Sequence, residues 1–182
     1  MKQEFVAARL DVKAFAQAAG ELAGPDLLSK YERLMAETQG VGGDAVVNWS
    51  ARGDLRAGPD GQEQVWLHVT ADTCLPLTCQ RCMEPVDIPV AVERSFRFVA
   101  DEAAAEAQDE EAEEDVLALN HDFNLRSLIE DELLMALPLV PSHETCPVKV
   151  KLAVADPDFD ARSTEKPNPF AVLAKLREGK SS

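Results

Sequence analysis

The sequence predicts an α+β fold: an antiparallel β-sheet packed by N-terminal and C-terminal helices, with an acidic linker. Three observations carry this. The middle of the chain alternates apolar and polar residues with period two between Gly/Pro turns, as strands with one buried face do. The segments on either side are rich in Ala, Leu, Glu, Lys and Gln, which favour helix. Between sheet and C-terminal part, nine of the fifteen residues from Asp101 to Asp115 are acidic and none is basic, so that stretch separates the two. With 182 residues and a 46% apolar composition the chain supports one core. The expected domain has four parts: strand and helices over 1–40, β region over 41–100, acidic linker over 101–115, and helix, His/Cys segment and C-terminal helix over 116–182.

Glu4 to Asp11 carries Phe5, Val6 and Leu10 and is expected to be a strand. From Val12 to about Glu37 the helix-favouring composition is split by Gly24-Pro25. Because proline suits a helix start, two helices are predicted, with Asp26 in the first turn of the second. Gly40, Gly42 and Gly43 end that region. Val46–Ala51 is a strand, Gly58-Pro59-Asp60-Gly61 a turn, and Val65–Val69 a strand continuing towards Leu75, Leu77 and Cys79. Val86, Ile88, Val90, Val92, Phe96 and Phe98 then share one parity, so Cys79-Gln80-Arg81-Cys82 falls at a hairpin tip. Pro76 and Pro89 place parts of these strands on edges or bulges.

The acidic run repels itself and lacks apolar residues, so a solvated linker or a frayed helix is expected there. Asn124 caps a helix from Leu125 to about Leu137 whose Leu125, Leu128, Ile129, Leu133 and Leu137 form one stripe. Pro138 ends it. Leu139-Val140-Pro141 is then extended and leads to His143 and Cys146. A last short helix opens at Asn168 as N-cap and Pro169 as first residue, followed by Phe170.

The candidate site comes from cysteine spacing. Cys79 and Cys82 stand two residues apart, and so do His143 and Cys146 about sixty residues later. A tight turn brings both sulfurs of such a pair to one side. The two pairs supply the ligands of a closed, structural Cys3His zinc site. Cys74 in place of His143 is a second possible ligand set. A redox role for Cys79/Cys82 fits less well, since Pro85 and strand-like alternation follow instead of the helix that lowers a catalytic thiol's pKa. His68 and His121 stand alone and are expected to be ordinary strand or loop histidines. There is no glycine-rich phosphate loop, Gly-x-Ser-x-Gly or His-Glu-x-x-His motif, so a non-enzymatic protein is expected, with no catalytic residues.

The formal charge of −15 opposes phosphate backbones and favours basic partners. Arg94, Phe96, Arg97 and Phe98 mix basic and aromatic residues as some RNA binders do, and a direct RNA-binding module using Arg81, Arg94 and Arg97 is the alternative. The parity of Phe96 and Phe98 reads more simply as a core face. No apolar N-terminal segment suggests secretion, and Leu133–Pro141 is too short to span a bilayer. A cytoplasmic location without membrane contact is expected, where free thiols are the norm.

Three blocks resemble the YceD family, the bacterial and plastid group called large ribosomal RNA subunit accumulation protein. They are Leu77-Thr78-Cys79-Gln80-Arg81-Cys82-Met83-Glu84-Pro85-Val86, then Ile129 to His143 with Cys146, then Lys166-Pro167-Asn168-Pro169-Phe170-Ala171-Val172-Leu173. The resemblance implies a role in accumulation of 23S-type rRNA, through its synthesis, processing or stability, and carries no established catalytic residues. The family tends to be encoded beside a small zinc-ribbon protein of the large subunit. The expected partners are therefore a basic ribosomal protein or an rRNA-processing factor, with rRNA contacted indirectly. Arg81, Asn168, Pro169 and Phe170 are candidate partner-binding residues.

Overall fold

A computed structural model describes residues 4–58, 61–110 and 112–149. The chain divides after Val148 into two units, and the first holds every element named here. Five strands lie in chain order across one sheet: β1 (Glu21–Leu27), β2 (Val46–Ala57), β3 (Glu63–Thr78), β4 (Pro85–Val99) and β5 (Asp115–Ala118). The first four pair antiparallel, and β5 joins β4 in parallel. The helices are α1 (Val12–Gln17), α2 (Glu32–Glu37), α3 (Glu102–Asp109) and α4 (Leu125–Met135).

The period-two pattern of the middle region becomes a single buried face. Along β3, Val65, Leu67, Val69, Ala71, Leu75 and Leu77 are all buried. The register sets Leu67 opposite Phe96 and Val65 opposite Phe98, so the apolar parity of both strands points to one side. Leu125, Ile129 and Leu133 of α4 join that core, as do Phe15 of α1 and Leu34 of α2. Gly53 on β2 admits α1 to the sheet: a Cβ there would lie 2.9 Å from the Ala16 backbone. At the other end of the core Asn124 caps α4 as expected, accepting from the Ser127 amide at 3.1 Å.

The N-terminal third departs from expectation. Glu4 to Asp11 forms only isolated bridges, Val6 with Arg9 and Leu10 with Phe123. Gly24-Pro25 does not separate two helices; it lies inside β1. Pro25 is tolerated because β1 is an edge strand, paired on one side only, where a missing N–H leaves no ladder bond unmade. Asp26, expected in a helix, is a buried strand carboxylate. It accepts from Lys30 Nζ at 2.5 Å, Trp49 Nε1 at 3.1 Å and Arg126 Nε at 3.4 Å. The ladder to β2 and the distant bonds to Trp49 and Arg126 outweigh local helix propensity.

In the acidic segment the helix alternative holds over Glu102–Asp109, and the segment packs on the sheet instead of standing apart as a solvated linker. Asp101 caps α3 by accepting from the Ala104 amide at 2.8 Å, and Asp115 opens β5. Arg97 of β4, nearly buried, donates to Glu114 at 2.5 Å and to Gln108 at 2.7 Å. One cation thus holds the segment to the sheet, so 101–115 does not loop away from it. The expected helix at Asn168, Pro169 and Phe170 lies outside the described residues.

Candidate metal centre

The β3–β4 hairpin ends in a six-residue tip, residues 79–84. The Met83 amide donates to the Cys79 carbonyl at 2.8 Å, and the Cys79 amide donates to the Glu84 carbonyl at 2.9 Å. Met83 turns the chain with φ of 62°, in the left-handed region that costs a side-chain-bearing residue roughly 1–2 kcal/mol. This knuckle turns both Cys79 and Cys82 towards the second arm, the segment that follows α4.

That arm has no regular secondary structure between Ala136 and Lys149, and the knuckle holds it. The Gln80 amide donates to the Pro141 carbonyl at 2.8 Å. The Arg81 guanidinium donates to the His143 carbonyl and, at 3.3 Å, to that of Glu144. Cys82 Sγ lies 3.5 Å from His143 Nδ1. The ligand atoms of Cys79, Cys82, His143 and Cys146 all fall within 4.8 Å of one another. In a tetrahedral zinc–thiolate site, bonds of about 2.3 Å put neighbouring sulfurs roughly 3.8 Å apart. Small side-chain movements bring this cluster to that geometry, so the residues present can hold a metal ion. Cys74 is exposed on β3 opposite Pro89 and takes no part, which leaves His143 as the fourth ligand candidate.

The electrostatics of the thiols are uneven. Burial works against a charged Cys79, but the backbone N–H groups of His143, Arg81 and Cys82, with the His143 ring, lower its pKa to about 5. Cys146 moves the other way, to about 11, first through burial and then because its thiol donates towards the Cys82 and Cys79 sulfurs. A pocket with one stabilised thiolate and one thiol held protonated is set to exchange protons for a cation.

The other sequence candidates do not converge here. His68 bonds Ser95 at 3.0 Å and lies 3.4 Å from Glu93, while His121 lies 3.4 Å from Asp11. Arg94 faces α4, with Glu132 at 3.4 Å, and Arg97 faces the opposite side of the sheet. Positions three apart on a strand point to opposite faces, so Arg81, Arg94 and Arg97 do not make one basic surface. Arg81 binds the second arm, a role its position between the cysteines hinted at but did not specify. Glu130, by pattern one of the polar residues opposite the α4 stripe with Arg126 and Asp131, is buried and has a role the sequence did not signal. Its buried carboxylate accepts from the amides of Arg33 at 2.7 Å and Leu34 at 3.3 Å, and so supplies the cap that α2 lacks in its own sequence. Among the described residues no helix is long and apolar enough to cross a membrane.

Fold and site together define an α+β protein built on one sheet, whose central hairpin meets the arm after α4 at its tip, with three cysteines and a histidine gathered between them. The family profile described as large ribosomal RNA subunit accumulation protein YceD matches residues 67–177, a span that contains all four cluster residues. A curated relative from Haemophilus influenzae with that name is 33% identical over 152 residues, 82% of this chain and 83% of its own length. The chain belongs to the YceD family. No solved structure matches it.

Proposed function

We propose that this protein is a non-enzymatic ribosome-biogenesis factor that supports synthesis, processing or stability of 23S-type large-subunit rRNA. It acts in the cytoplasm through protein partners, a basic ribosomal protein or an rRNA-processing factor. Family membership carries the reading, since the relatives are named for accumulation of large-subunit rRNA. The charge of −15 favours protein contacts over a phosphate backbone, as does the dispersal of Arg81, Arg94 and Arg97 to separate partners.

In the same proposal the Cys3His cluster binds zinc structurally. The soft thiolates and the imidazole suit that ion, and four protein ligands leave no open position for substrate. The low pKa of Cys79 also fits a thiol-dependent enzyme. Against that reading, Cys79 is fully buried beneath the other three residues, whereas attack on a substrate needs access.

The test is the ratio of large- to small-subunit rRNA in cells depleted of the protein, complemented with the natural chain or a Cys79→Ser/Cys82→Ser variant. A selective fall in the large-subunit species, rescued only by the natural chain, is expected. An unchanged ratio on depletion rules the proposal out.

A further inference from the structure

Beside the knuckle runs a groove of about 580 Å³. Leu77 of β3 and Leu134 of α4 form one part of its wall, and Leu137, Pro138, Leu139 and Pro141 of the second arm form another. Leu139 in that wall is wholly exposed, and Met135 at the end of α4, Val140 next along the arm and Met83 in the knuckle are exposed as well. Four large apolar side chains left in water on and beside one arm mark an interaction surface more than a scattered surface composition would.

The charge of the groove narrows the occupant. Glu37 is the one charged residue in the walls described, and no cation lines them. The nearest arginine in sequence, Arg81, directs its guanidinium at the His143 and Glu144 carbonyls. An apolar trough with a carboxylate and no cation is a poor seat for a nucleic acid, whose phosphates need positive charge. It suits aliphatic side chains flanked by Lys or Arg, because the apolar atoms fill the trough, the cations meet Glu37, and the net charge of −15 draws a basic segment at long range.

The arm's part of the wall depends on the clamp. Pro138 to Pro141 belongs to no helix or strand. Beyond the Leu137 amide, the hydrogen bonds described for the arm run to Cys79, Gln80, Arg81 and Cys82 of the knuckle. We propose that the groove takes a basic, aliphatic segment of a protein partner, and that metal binding at Cys79, Cys82, His143 and Cys146 builds the wall it docks on. This rests on the protein-contact and zinc readings above and says where that contact is made.

The experiment uses the full zinc-loaded chain labelled with 15N and two amphipathic peptides of equal apolar content, one Lys/Leu and one Glu/Leu. The Lys/Leu peptide is expected to shift the amides of Leu77, Gln80 and Leu139 and to bind about tenfold or more tighter than its acidic counterpart. Leu139→Asp, at a fully exposed position that folding does not need, is expected to weaken it by about tenfold. Chelation is expected to weaken it comparably. Shifts confined elsewhere, equal binding of both peptides, or unaltered binding to Leu139→Asp overturns the groove assignment. The same shifts produced instead by a single-stranded oligonucleotide overturn the partner class, and peptide binding that survives chelation overturns the metal-built wall. Failure of the wider reading is separable: a normal rRNA ratio on depletion, with selective peptide binding intact, removes the biogenesis role and leaves the groove.

Discussion

Two carboxylates show how much the fold asks of single residues. Glu130 is buried on α4 and satisfies two amides at the start of α2 while Arg33 Nε donates to it at 3.0 Å. Replacing it with alanine orphans both amides and loosens Arg33 at once. Arg33 is half exposed, so its charge is partly screened and the loss of the cap dominates. Glu130→Ala should cost about 2 kcal/mol in urea unfolding, and Glu130→Gln less, since the amide oxygen still accepts. Equal losses for the two variants would show that charge, not capping, is what matters. Asp26 makes the companion case. Burial opposes its ionisation, but Lys30, Trp49 and Arg126 more than offset this and hold its pKa below the ordinary value of 3.8. A carboxylate lowered in the folded state contributes stability that is present above its unfolded pKa and lost as pH falls through the folded one. The stability gap between the natural protein and Asp26→Asn should therefore be full at pH 7 and shrink below about pH 4. A gap independent of pH would assign the effect to packing.

At the scale of elements, what the sequence showed and what it hid divide along the range of the forces. The β3–β4 hairpin was legible because its face is set by alternation within the strand, and Cys79 and Cys82 came to its tip as the pattern required. α4 was legible through Asn124, its apolar stripe and Pro138. β1 was not, because Gly24-Pro25 is a local break signal, while the strand exists through its ladder to β2, well along the chain, with Asp26 bonded to Trp49 and Arg126 besides. β5, four residues long with one acid among them, is too short to show a period, and an acidic run precedes it. What offsets that charge is Arg97, which the composition of 101–115 does not reveal. Arg97→Met should therefore free the acidic segment from β4 while the apolar face persists. Faster amide exchange is expected at residues 108–118, with β3 protection unchanged. Loss of protection throughout the sheet would mean that Arg97 supports the whole fold.

For the whole molecule the question is what the proposed metal centre holds up. The largest fully buried side chains, among them Tyr31, Phe15, Phe96, Leu67 and Ile129, lie in the core formed by sheet, α1, α2 and α4, and none belongs to the cluster. The spacing of the cysteines and histidine was readable in advance because two-residue intervals are a local signature. The distance they bridge was not, since only the fold shows that the arm after α4 returns to the hairpin tip. A centre at the margin of a self-sufficient core should secure the arm and leave the sheet standing. Chelation is therefore expected to preserve cooperative thermal unfolding of the sheet while amide exchange rises at residues 80–82 and 141–146. Acidification should act in the same direction as chelation. Binding must expel the proton that Cys146, with its pKa raised to about 11, retains at neutral pH, so metal affinity should fall as pH is lowered and each ion bound should release protons. Chelator competition between pH 6 and pH 8 measures both. If chelation instead unfolds the sheet outright, as it does in small zinc domains without a core of their own, the clamp is part of the folding nucleus and not an attachment to it.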